Sequence, residues 1–459
     1  MSKVMKNPAE YRKDLEQIFL AGVERVNPWQ MILSKVKKVG NNLLIELDSE
    51  ILTFNLNDYK QIFVIGAGKA TAPMAAALEA ILGARISQGI ISVKYGHTAE
   101  LDLIKMIEAG HPVPDENSNL AAKEMADLAG QADVNTLVIS LISGGGSALL
   151  SLPWSDDKVS LSLSDKQDTT KLLLECGAAI QEINCIRKHI SGIKGGRLAS
   201  LVHPATCINL ILSDVIGDRL DSIASGLTVA DSSTFAQAVE ILDKYGIRDK
   251  VPAGVKSILE RGLSGDIPDT PKKGDPIFDK VKNCLLGTNR AALIASEKKA
   301  RELGFQPVIL SSRIAGEARE IAKFYLGMAL DCSGLRDGSG RPLCLIGGGE
   351  TTVTLRGKGT GGRNQEMALS FLNEMRDTPD ETNRIFFLSG GTDGNDGPTD
   401  AAGAYAELGI FDAGLAEGLS IQEYLNKNDS YNYFKQAGGL LMTGPTNTNV
   451  CDIQLVIVE

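Results

Sequence analysis

Short apolar runs alternate with longer amphipathic stretches through most of the chain. Runs of this length are typical of strands buried on both faces, and the stretches between them, such as 72–82, have helical spacing. Five runs stop at a polar turn that mostly contains glycine: Phe63 to Ile65 at Gly66-Ala67-Gly68-Lys69, Leu137 to Ile142 at Ser143-Gly144-Gly145-Gly146-Ser147, Ile208 to Leu212 at Ser213-Asp214, Leu343 to Ile346 at Gly347-Gly348-Gly349-Glu350, and Ile385 to Leu388 at Ser389-Gly390-Gly391-Thr392-Asp393. Ligands bind outside the carboxyl ends of such strands in open α/β sheets. The pattern therefore predicts an α/β fold in which these turns form a binding site.

Chain length and one segment rich in glycine and proline predict two domains. A chain of 459 residues exceeds the roughly 250 to 300 residues that one hydrophobic core usually organises. Residues 263–280 collect glycines, prolines and alternating charges, which is typical of an exposed connection. We therefore expect an N-terminal domain over 1–270, beginning with an amphipathic helix capped by Asn7, and a C-terminal α/β domain over 271–459. Because the turns come from both domains, the site is expected in the cleft between them.

Overall charge and cysteine usage narrow the class of protein. The chain has 47 basic and 57 acidic residues, a net charge of -10, which argues against a general nucleic-acid or anionic-membrane surface. Seven cysteines without Cys-x-x-Cys spacing indicate reduced thiols and a cytoplasmic location. No stretch approaches the roughly 20 apolar residues that span a bilayer. Any anionic ligand must therefore be bound by a local group of cations and N–H groups.

The turn Gly66-Ala67-Gly68-Lys69 follows a strand and precedes a helix, which is where an anion is bound by backbone N–H groups. We interpret Gly66 and Gly68 as cofactor-binding residues and place Lys69 beside the anion. The sequence is only a partial dinucleotide fingerprint, because Thr71 occupies the third glycine position, and it is not a Walker A motif. The alternative is a tight turn with a solvated lysine.

Three consecutive glycines in the turn 143–147 favour a phosphate-binding loop. Few structural needs require three glycines in a row, so we interpret Ser143, Gly144, Gly145, Gly146 and Ser147 as cofactor-binding residues. A nucleophilic serine is weakly supported because no Gly-x-Ser-x-Gly sequence surrounds it. The lone histidine of the rigid, polar segment 111–118 is interpreted as a turn residue.

Two further segments carry concentrated cations. Residues 184–197 hold several lysines and arginines between glycines, and we interpret Lys194 and Arg197 as ligands of an anionic substrate or polyphosphate. A solvated helix face is the alternative. Downstream, Gly348 and Glu350 are predicted to contact the nucleotide, and Arg363 begins a helix where it can reach an anion.

Carboxylates follow two of the predicted strands and suggest a metal site. Asp214 and Asp218 follow one strand, and Asp393 and Asp396 follow another. Mg²⁺ takes oxygen ligands and usually binds through one or two carboxylates together with phosphate oxygens. We predict Asp214, Asp218 and Asp396 as metal ligands, while Asp393 or Asp214 acts as general base or Mg²⁺ ligand. Ordinary turn capping by aspartate is the alternative at each position.

Taken together, these motifs resemble the class II glycerate kinases in order and over nearly the whole chain. The matching segments are Gly-Ala-Gly-Lys-Ala at 66–70, Gly-His-Pro-Val-Pro-Asp at 110–115, Ser-Gly-Gly-Gly-Ser-Ala at 143–148, Ser-Asp-Val-Ile-Gly-Asp at 213–218, Gly-Gly-Gly-Glu-Thr-Thr-Val at 347–353, Gly-Gly-Arg-Asn-Gln-Glu at 361–366 and the aspartate-rich run at 391–404. The resemblance implies ATP-dependent phosphorylation of D-glycerate, typically to 2-phosphoglycerate, with Mg²⁺. It also implies a Rossmann-like N-terminal domain and a smaller C-terminal domain. The catalytic residues of the family fall on Lys69, Arg363 and Asp393.

Two other functions stay open at this point. An NAD(P)-dependent hydroxypyruvate reductase would fit the partial fingerprint at Gly66, although the third glycine is missing. A non-catalytic sensor of sugar acids or nucleotides would have the same fold, because fold does not determine function. The expected partners are the small molecules D-glycerate and ATP, without nucleic acid or membrane. A homodimer is compatible with the sequence but is not required by it.

Overall fold

The computed structural model describes residues 6–333 and 341–459. These residues form two compact units. One unit is Pro28–Leu286, and the other joins the described residues up to Asn27 with Gly287–Glu459. Each unit is built around its own six-stranded sheet, as the two-domain prediction requires.

The strands are numbered in chain order. They are β1 (Val36–Val39), β2 (Asn42–Glu46), β3 (Ile51–Asn55), β4 (Gln61–Ala67), β5 (Gln88–Lys94), β6 (Lys105–Ala109), β7 (Thr136–Ile142), β8 (Thr206–Leu212), β9 (Val281–Gly287), β10 (Gln306–Glu317), β11 (Leu343–Thr352), β12 (Ile385–Gly391), β13 (Gly403–Ala406), β14 (Leu440–Leu441) and β15 (Asp452–Val458).

The α-helices are numbered in the same way. They are α1 (Pro8–Arg25), α2 (Pro28–Lys35), α3 (Thr71–Leu82), α4 (Glu116–Ala129), α5 (Gly146–Leu149), α6 (Leu163–Glu175), α7 (Ile180–His189), α8 (Arg197–Val202), α9 (Phe235–Lys244), α10 (Ala253–Leu263), α11 (Asn289–Glu302), α12 (Ala318–Cys332), α13 (Arg363–Met375), α14 (Pro379–Thr382), α15 (Leu408–Ala416), α16 (Ile421–Lys427) and α17 (Ser430–Ala437).

The 28–286 unit is a doubly wound α/β structure. Its sheet has the strand order β6-β5-β4-β7-β8-β9, and the pairs from β6 through β8 are parallel. All seven residues of β7 are buried, because helices cover both faces of such a sheet. The order is that of dinucleotide-binding folds. In these folds the strands after the first are added on one side of it, and from the fourth strand onward they are added on its other side. Here these two strands are β4 and β7, so the predicted Rossmann-like fold is confirmed.

The other unit contains a mixed sheet. Its order is β10-β11-β15-β12-β13-β14, with β10 and β11 parallel and the remaining pairs antiparallel. Helix α1 belongs to this unit, since the Tyr11 ring stacks on Phe386 with 4.4 Å between centroids. The predicted cap of α1 is present: the Asn7 side chain accepts from Glu10 N at 3.0 Å, and the Glu10 carboxylate accepts from Asn7 N at 2.7 Å.

The structure divides the chain differently from the expected boundary at residue 270. Strand β9 lies beside β8 in the first sheet, so the unit extends to Leu286. Residues 263–280 are also more than an exposed connection. Ile267 and Thr270 are buried, and an Asp269 carboxylate oxygen lies 2.9 Å from His189 Nε2. Strand pairing and burial, which local composition does not report, explain both differences.

Several predicted glycine turns lie inside strands. Gly66 is part of β4, residues 347–349 lie within β11, and residues 389–391 complete β12. In β11 the glycines permit a close approach of the covering helices, since a Cβ on Gly347 would overlap the Tyr325 hydroxyl of α12. The prediction that residues 347–350 form a turn at a strand end is therefore wrong. The strand continues because its neighbours supply hydrogen-bond partners on both sides.

The structure also reports on the cysteines and on the apolar character of the helices. No disulfide joins the seven cysteines, all of which lie in the described part of the chain. Within residues 6–333 and 341–459, no helix combines the length and apolar character needed to cross a bilayer.

The packing at Gly347 generates a stability prediction. Gly347→Ala is expected to lower the free energy of unfolding by about 1–3 kcal/mol, because the added methyl group overpacks the space beside Tyr325. Adding Tyr325→Phe removes the overlapping hydroxyl and should recover part of the loss. Urea unfolding monitored by circular dichroism measures both effects.

Gly327→Ala is the matched control, because a methyl group added to this exposed glycine of α12 would have no neighbouring atom within 4 Å. Alanine is favoured over glycine in a helix by up to about 1 kcal/mol, so this variant should be unchanged or more stable. Equal stability of the Gly347→Ala variant and the wild-type protein would contradict the packing argument.

Candidate active site

The loops after β4 and β7 meet at the switch point of the first sheet. Lys69 N donates to Gly144 O at 2.9 Å, and Ser143 N donates to Ala67 O at 3.1 Å. Gly68 has φ +147, and a Cβ at this position would overlap the Ser143 side chain. The loops can therefore pack this closely only because residue 68 is glycine.

The Ser143 side chain joins the two loops. Its Oγ accepts from Ala70 N at 3.0 Å and lies 3.1 Å from Thr71 Oγ1, and the residue is buried. The sequence predicts a cofactor contact for Ser143, but its hydroxyl is engaged at the beginning of α3. Thr71, which replaces the third glycine of the dinucleotide fingerprint, uses its hydroxyl in this contact.

Lys69, His111 and Asp214 lie next to the triple-glycine loop. A Cβ on Gly145 would be 2.9 Å from His111 Cδ2 and 3.4 Å from Lys69 Cε, and a Cβ on Gly144 would be 2.7 Å from Asp214 Cγ. The structure thus brings together Lys69, Gly144, Gly145 and Asp214, as the sequence predicts. It adds His111, for which the sequence indicates only a turn.

No periodicity or spacing singles out His111. Its position follows from the segment after β6 reaching the same edge of the sheet as the glycine loop. The presence of Gly-His-Pro-Val-Pro-Asp among the family motifs is the one available signal.

Charges in this group shift one another's pKa values. Burial lowers the pKa of His111 to about 4, and the nearby Lys69, Lys94 and His97 act in the same direction. Burial raises the pKa of Asp214, while the charge of Lys69 opposes that shift. At neutral pH His111 is therefore an uncharged imidazole beside a lysine, which suits hydrogen bonding to a ligand rather than ion pairing.

The predicted cations Lys194 and Arg197 are buried. Lys194 Nζ donates to Ser147 O at 2.6 Å, to Ser147 Oγ at 3.1 Å and to Leu150 O at 2.9 Å, so its three donors are used on the glycine-loop segment. Arg197 donates to Lys188 O at 2.8 Å and lies over the Trp154 ring at 4.7 Å. Both residues thus make protein contacts, and their predicted role in cofactor binding stays a prediction.

In the other unit, Arg363 lies between two carboxylates. Its Nε and Nη2 donate to the Asp452 oxygens at 2.6 and 2.9 Å, and its Nη1 lies 2.8 Å from Glu350 Oε1. Asp452 is fully buried, whereas the Glu350 side chain is 43% exposed. Burial acts to lower the pKa of Arg363, but the hydrogen bonds and charge of Asp452 outweigh it and raise the pKa. The buried pair fixes the guanidinium, and its Glu350 side remains accessible.

Asp396 caps helix α13. Its Oδ1 accepts from Asn364 N at 3.1 Å, and its Oδ2 accepts from Gln365 N at 2.8 Å. Burial raises the pKa of Asp396 to about 7, while these N–H groups act in the opposite direction. The helix N-terminus, where the sequence predicts a ligand anion, is therefore occupied by a carboxylate of the protein.

Asp393 lies just beyond β12 and is partly exposed. Its Oδ1 accepts from Asn395 N at 3.2 Å, which is the contact of an Asx turn. Turn capping is the alternative interpretation of this residue, and this contact uses only Oδ1.

The predicted metal ligands are not grouped with other metal-ligating side chains in the described part of the chain. No group of three or more histidine, cysteine, aspartate or glutamate side chains that could hold a metal occurs within residues 6–333 and 341–459. Asp218 adopts a left-handed conformation with φ +55 in the loop after β8. Both oxygens of Asp396 accept backbone N–H groups, so a metal would share this carboxylate with the beginning of α13, and its role as a ligand stays a prediction.

A cavity of about 560 Å³ lies in the 28–286 unit. It is lined by side chains that include Lys188, Asp231 and Arg219, and no predicted site residue lines it. One of its lining residues, Asn184, accepts from Ser225 Oγ, which lies 2.7 Å from Ser147 Oγ. We place the candidate site at the switch point rather than in this cavity, because the strand order and the glycine loops converge there.

The fold and the loops define the class of protein as a doubly wound α/β protein with glycine-containing loops at its switch point. Two family models match the chain: "Domain of unknown function (DUF4147)" over residues 14–260 and the MOFRL family over residues 343–452. The chain is 40% identical over 437 residues to glycerate 2-kinase of Pyrococcus horikoshii, covering 95% of this chain and 94% of that protein. It is 39% identical over 397 residues to a putative hydroxypyruvate reductase of Agrobacterium vitis, covering 86% of each.

A solved structure gives the same result. The crystal structure of glycerate kinase from Thermotoga maritima matches with a TM-score of 0.85 and 36% identity, covering 98% of this chain and 100% of that chain. The chain belongs to the class II glycerate kinase family, and the resemblance inferred from its motifs is confirmed.

The Arg363 pair generates a stability prediction. Arg363→Ala leaves the buried Asp452 without its partner and is expected to lower the free energy of unfolding by about 3 kcal/mol. The double variant Arg363→Met/Asp452→Asn removes both charges and should recover most of that loss. Chemical denaturation of the wild-type protein and the two variants at one pH measures their free energies of unfolding. An Arg363→Ala variant as stable as wild type would show that the pair contributes nothing.

His111 generates a pH prediction. Its folded pKa of about 4 lies below the unfolded value of about 6.5, so the folded protein binds fewer protons between these pH values. The stability contribution is complete above pH ~6.5 and is lost as the pH falls towards 4. His111→Gln should therefore lose less stability than wild type between pH 7 and 4.5, measured by urea unfolding at each pH. The exposed His203→Gln is the matched control, and identical pH slopes in the His111→Gln and wild-type proteins would refute the burial argument.

Proposed function

We propose that this protein is a glycerate kinase that transfers the γ-phosphoryl group of ATP to D-glycerate and forms 2-phosphoglycerate. The observation that carries the proposal is the convergence of Lys69, the triple-glycine loop and Asp214 at the switch point of a doubly wound sheet. Relatives that cover nearly the whole chain are named glycerate kinases. Phosphoryl transfer requires positioning and charge neutralisation more than covalent chemistry, and these residue types supply both.

Backbone N–H groups and Lys69 are proposed to hold the transferring phosphoryl group. The N–H groups of Gly144 and Gly145 have no hydrogen-bond acceptor among the described residues. Lys69 lies beside Gly145 and is partly exposed, so its ammonium group can reach a bound phosphate. Lysine acts there as a point charge that stabilises negative charge developing on the phosphoryl oxygens.

Arg363 and Asp393 are proposed to act on the same reaction from the other unit. A substrate carboxylate or phosphate oxygen would replace the partly exposed Glu350 on Arg363 Nη1, while Asp452 keeps the guanidinium oriented. Asp393 or Asp214 would accept the proton of the reacting glycerate hydroxyl, as the catalytic aspartate of kinases does.

Mg²⁺ is the proposed metal cofactor. Whichever of Asp214 and Asp393 is not the base fits it, because a single carboxylate with phosphate oxygens completes many magnesium sites. Bound Mg²⁺ would neutralise charge on the phosphate oxygens of ATP. We also propose a cytoplasmic location without a nucleic-acid or membrane partner, and light scattering would test whether the protein is a homodimer.

The reductase alternative rests on two observations, the dinucleotide-type strand order and a relative named a putative hydroxypyruvate reductase. Against it, Thr71 stands at the third glycine position and its hydroxyl contacts Ser143. Oxidation of NADH or NADPH by the purified protein with hydroxypyruvate would favour this function over the kinase.

The direct test is to incubate the protein with D-glycerate, ATP and Mg²⁺ and to identify the product by phosphorus NMR. We expect 2-phosphoglycerate. A 3-phosphoglycerate signal would correct the position of transfer, and absence of any phosphoglycerate would refute the proposal.

Lys69→Met is expected to lower turnover by at least ~100-fold without loss of folding, on the scale of removing one charge-stabilising group. Lys105→Met is the matched control, because Lys105 is an exposed lysine of the same unit that pairs with Glu124. Turnover within a few fold of wild type in the Lys69→Met protein would remove Lys69 from the mechanism.

A further inference from the structure

Three cations surround the segment that follows the triple-glycine loop, and none has a carboxylate partner in the described part of the chain. Lys166, Arg187 and Lys194 contact residues 147–152, and no aspartate or glutamate oxygen of the described chain lies within 4.0 Å of their charged nitrogens. Lys166 is 5% exposed and Lys194 is 1% exposed. A protein of net charge -10 therefore places three basic side chains together without a carboxylate of the described chain beside them.

The unused donors belong to Lys166 and Arg187. Lys166 Nζ makes one hydrogen bond, to Leu152 O at 3.3 Å, and Arg187 Nη2 makes one, to Ser147 O at 3.4 Å. An ammonium group has three donors and a guanidinium has five. Lys194, in contrast, uses three donors on Ser147 and Leu150. Lys194 thus holds the segment, while Lys166 and Arg187 retain capacity for a ligand.

Neighbouring charges on the same helix are paired. Lys188 Nζ lies 3.1 Å from Asp231 Oδ1, and His189 Nε2 lies 2.9 Å from Asp269 Oδ1. The next residues of α7 after Arg187 thus follow the general rule that buried charges have partners. The lack of a carboxylate at Arg187 among the described residues is therefore a local exception rather than a property of the helix.

Burying several cations without a neighbouring carboxylate costs free energy unless a ligand anion is bound. Burial lowers the pKa of Lys166 to about 7, and the Arg187 charge acts in the same direction. Burial lowers the pKa of Lys194 well below its usual range, with Arg187 and Lys166 contributing. Removing one partner of a buried pair is destabilising, so an arrangement of this kind is favourable only when an anion completes it.

Backbone strain lies beside the same loop. Ala224 and Ser225 adopt left-handed conformations with φ +49 and +59, which are unfavourable for non-glycine side chains. Ser225 Oγ lies 2.7 Å from Ser147 Oγ. Such outliers persist where the surroundings hold them, often at ligand sites.

We infer that Lys166 and Arg187 bind an oxyanion of a reactant beside the Ser143–Ser147 loop, either a phosphate group of the nucleotide or the carboxylate of the sugar acid. The inference rests on the proposed kinase function and names two binding residues that it does not include. Both anions match the planar fork of Arg187, and the buried ammonium group of Lys166 supplies a second charge.

The test uses Lys166→Met and Arg187→Met in the full-length protein. Thermal unfolding is measured for each protein alone, with ADP and with D-glycerate, and the dissociation constants are measured by calorimetry. Without ligand, both variants should unfold at or above the wild-type temperature, because a repulsive buried charge is removed. With ligand, the dissociation constant of one reactant should rise at least ~10-fold, the scale of one lost charged hydrogen bond.

The two ligands distinguish the source of the oxyanion. Loss of the ADP-induced temperature shift indicates a nucleotide phosphate, and loss of the D-glycerate shift indicates the carboxylate. Lys171→Gln is the matched control on α6, because Lys171 is 75% exposed and pairs only with Glu175 among the described residues. Arg187→Lys keeps the charge without the fork and should show an intermediate dissociation constant, which also keeps the test usable if a methionine variant does not fold.

The inference is overturned if the variants bind both reactants as tightly as wild type, whatever their stability. Its failure is separable from failure of the proposed function. An active wild-type kinase whose variants bind normally refutes only the role of Lys166 and Arg187. An inactive wild-type protein whose variants lose affinity refutes only the proposed reaction.

Discussion

The hydrogen-bonded contact between the loops after β4 and β7 is the interaction on which the candidate site depends. Lys69 N and Gly144 O pair directly, and the buried Ser143 hydroxyl joins the second loop to the beginning of α3. Only glycine at position 68 leaves room for this approach. Because the contact is made by main-chain and buried atoms, it positions Lys69 and the glycine loop without using the Lys69 ammonium group or the N–H groups of Gly144 and Gly145.

The cations of the two units differ in whether they have carboxylate partners. In the C-terminal unit, Arg363 is held by the buried Asp452 and the partly exposed Glu350, so its charge is compensated before any ligand arrives. In the 28–286 unit, Lys166 and Arg187 have no carboxylate partner in the described chain. Paired cations serve orientation, and unpaired ones increase affinity for an anion. A kinase needs both properties, since it must orient one reactant and neutralise the charge of another.

Local signals predict much of the fold and part of the site. The capping sequence of α1, the buried strands, and the positions of Lys69, Asp214 and Arg363 at element ends all follow from spacing and residue type. The extent of β11 through residues 347–349 does not, because glycine is interpreted as a turn signal unless strand partners are known. The neighbours of His111 and the cap formed by Asp396 do not follow either, since both depend on segments distant in sequence.

Sequence alone established the α/β class, the family and the residue types available for anion binding, because periodicity and motif order are encoded locally. Tertiary structure decided which of those residues meet. It showed that Asp396 caps a helix and that Lys194 donates its hydrogen bonds to the glycine-loop segment. It also showed that α1 packs in the unit formed with the C-terminal residues. These outcomes depend on burial and on contacts between distant segments. Only in the folded chain are charged and polar groups removed from water, and only there do they find the partners that offset the cost of losing it.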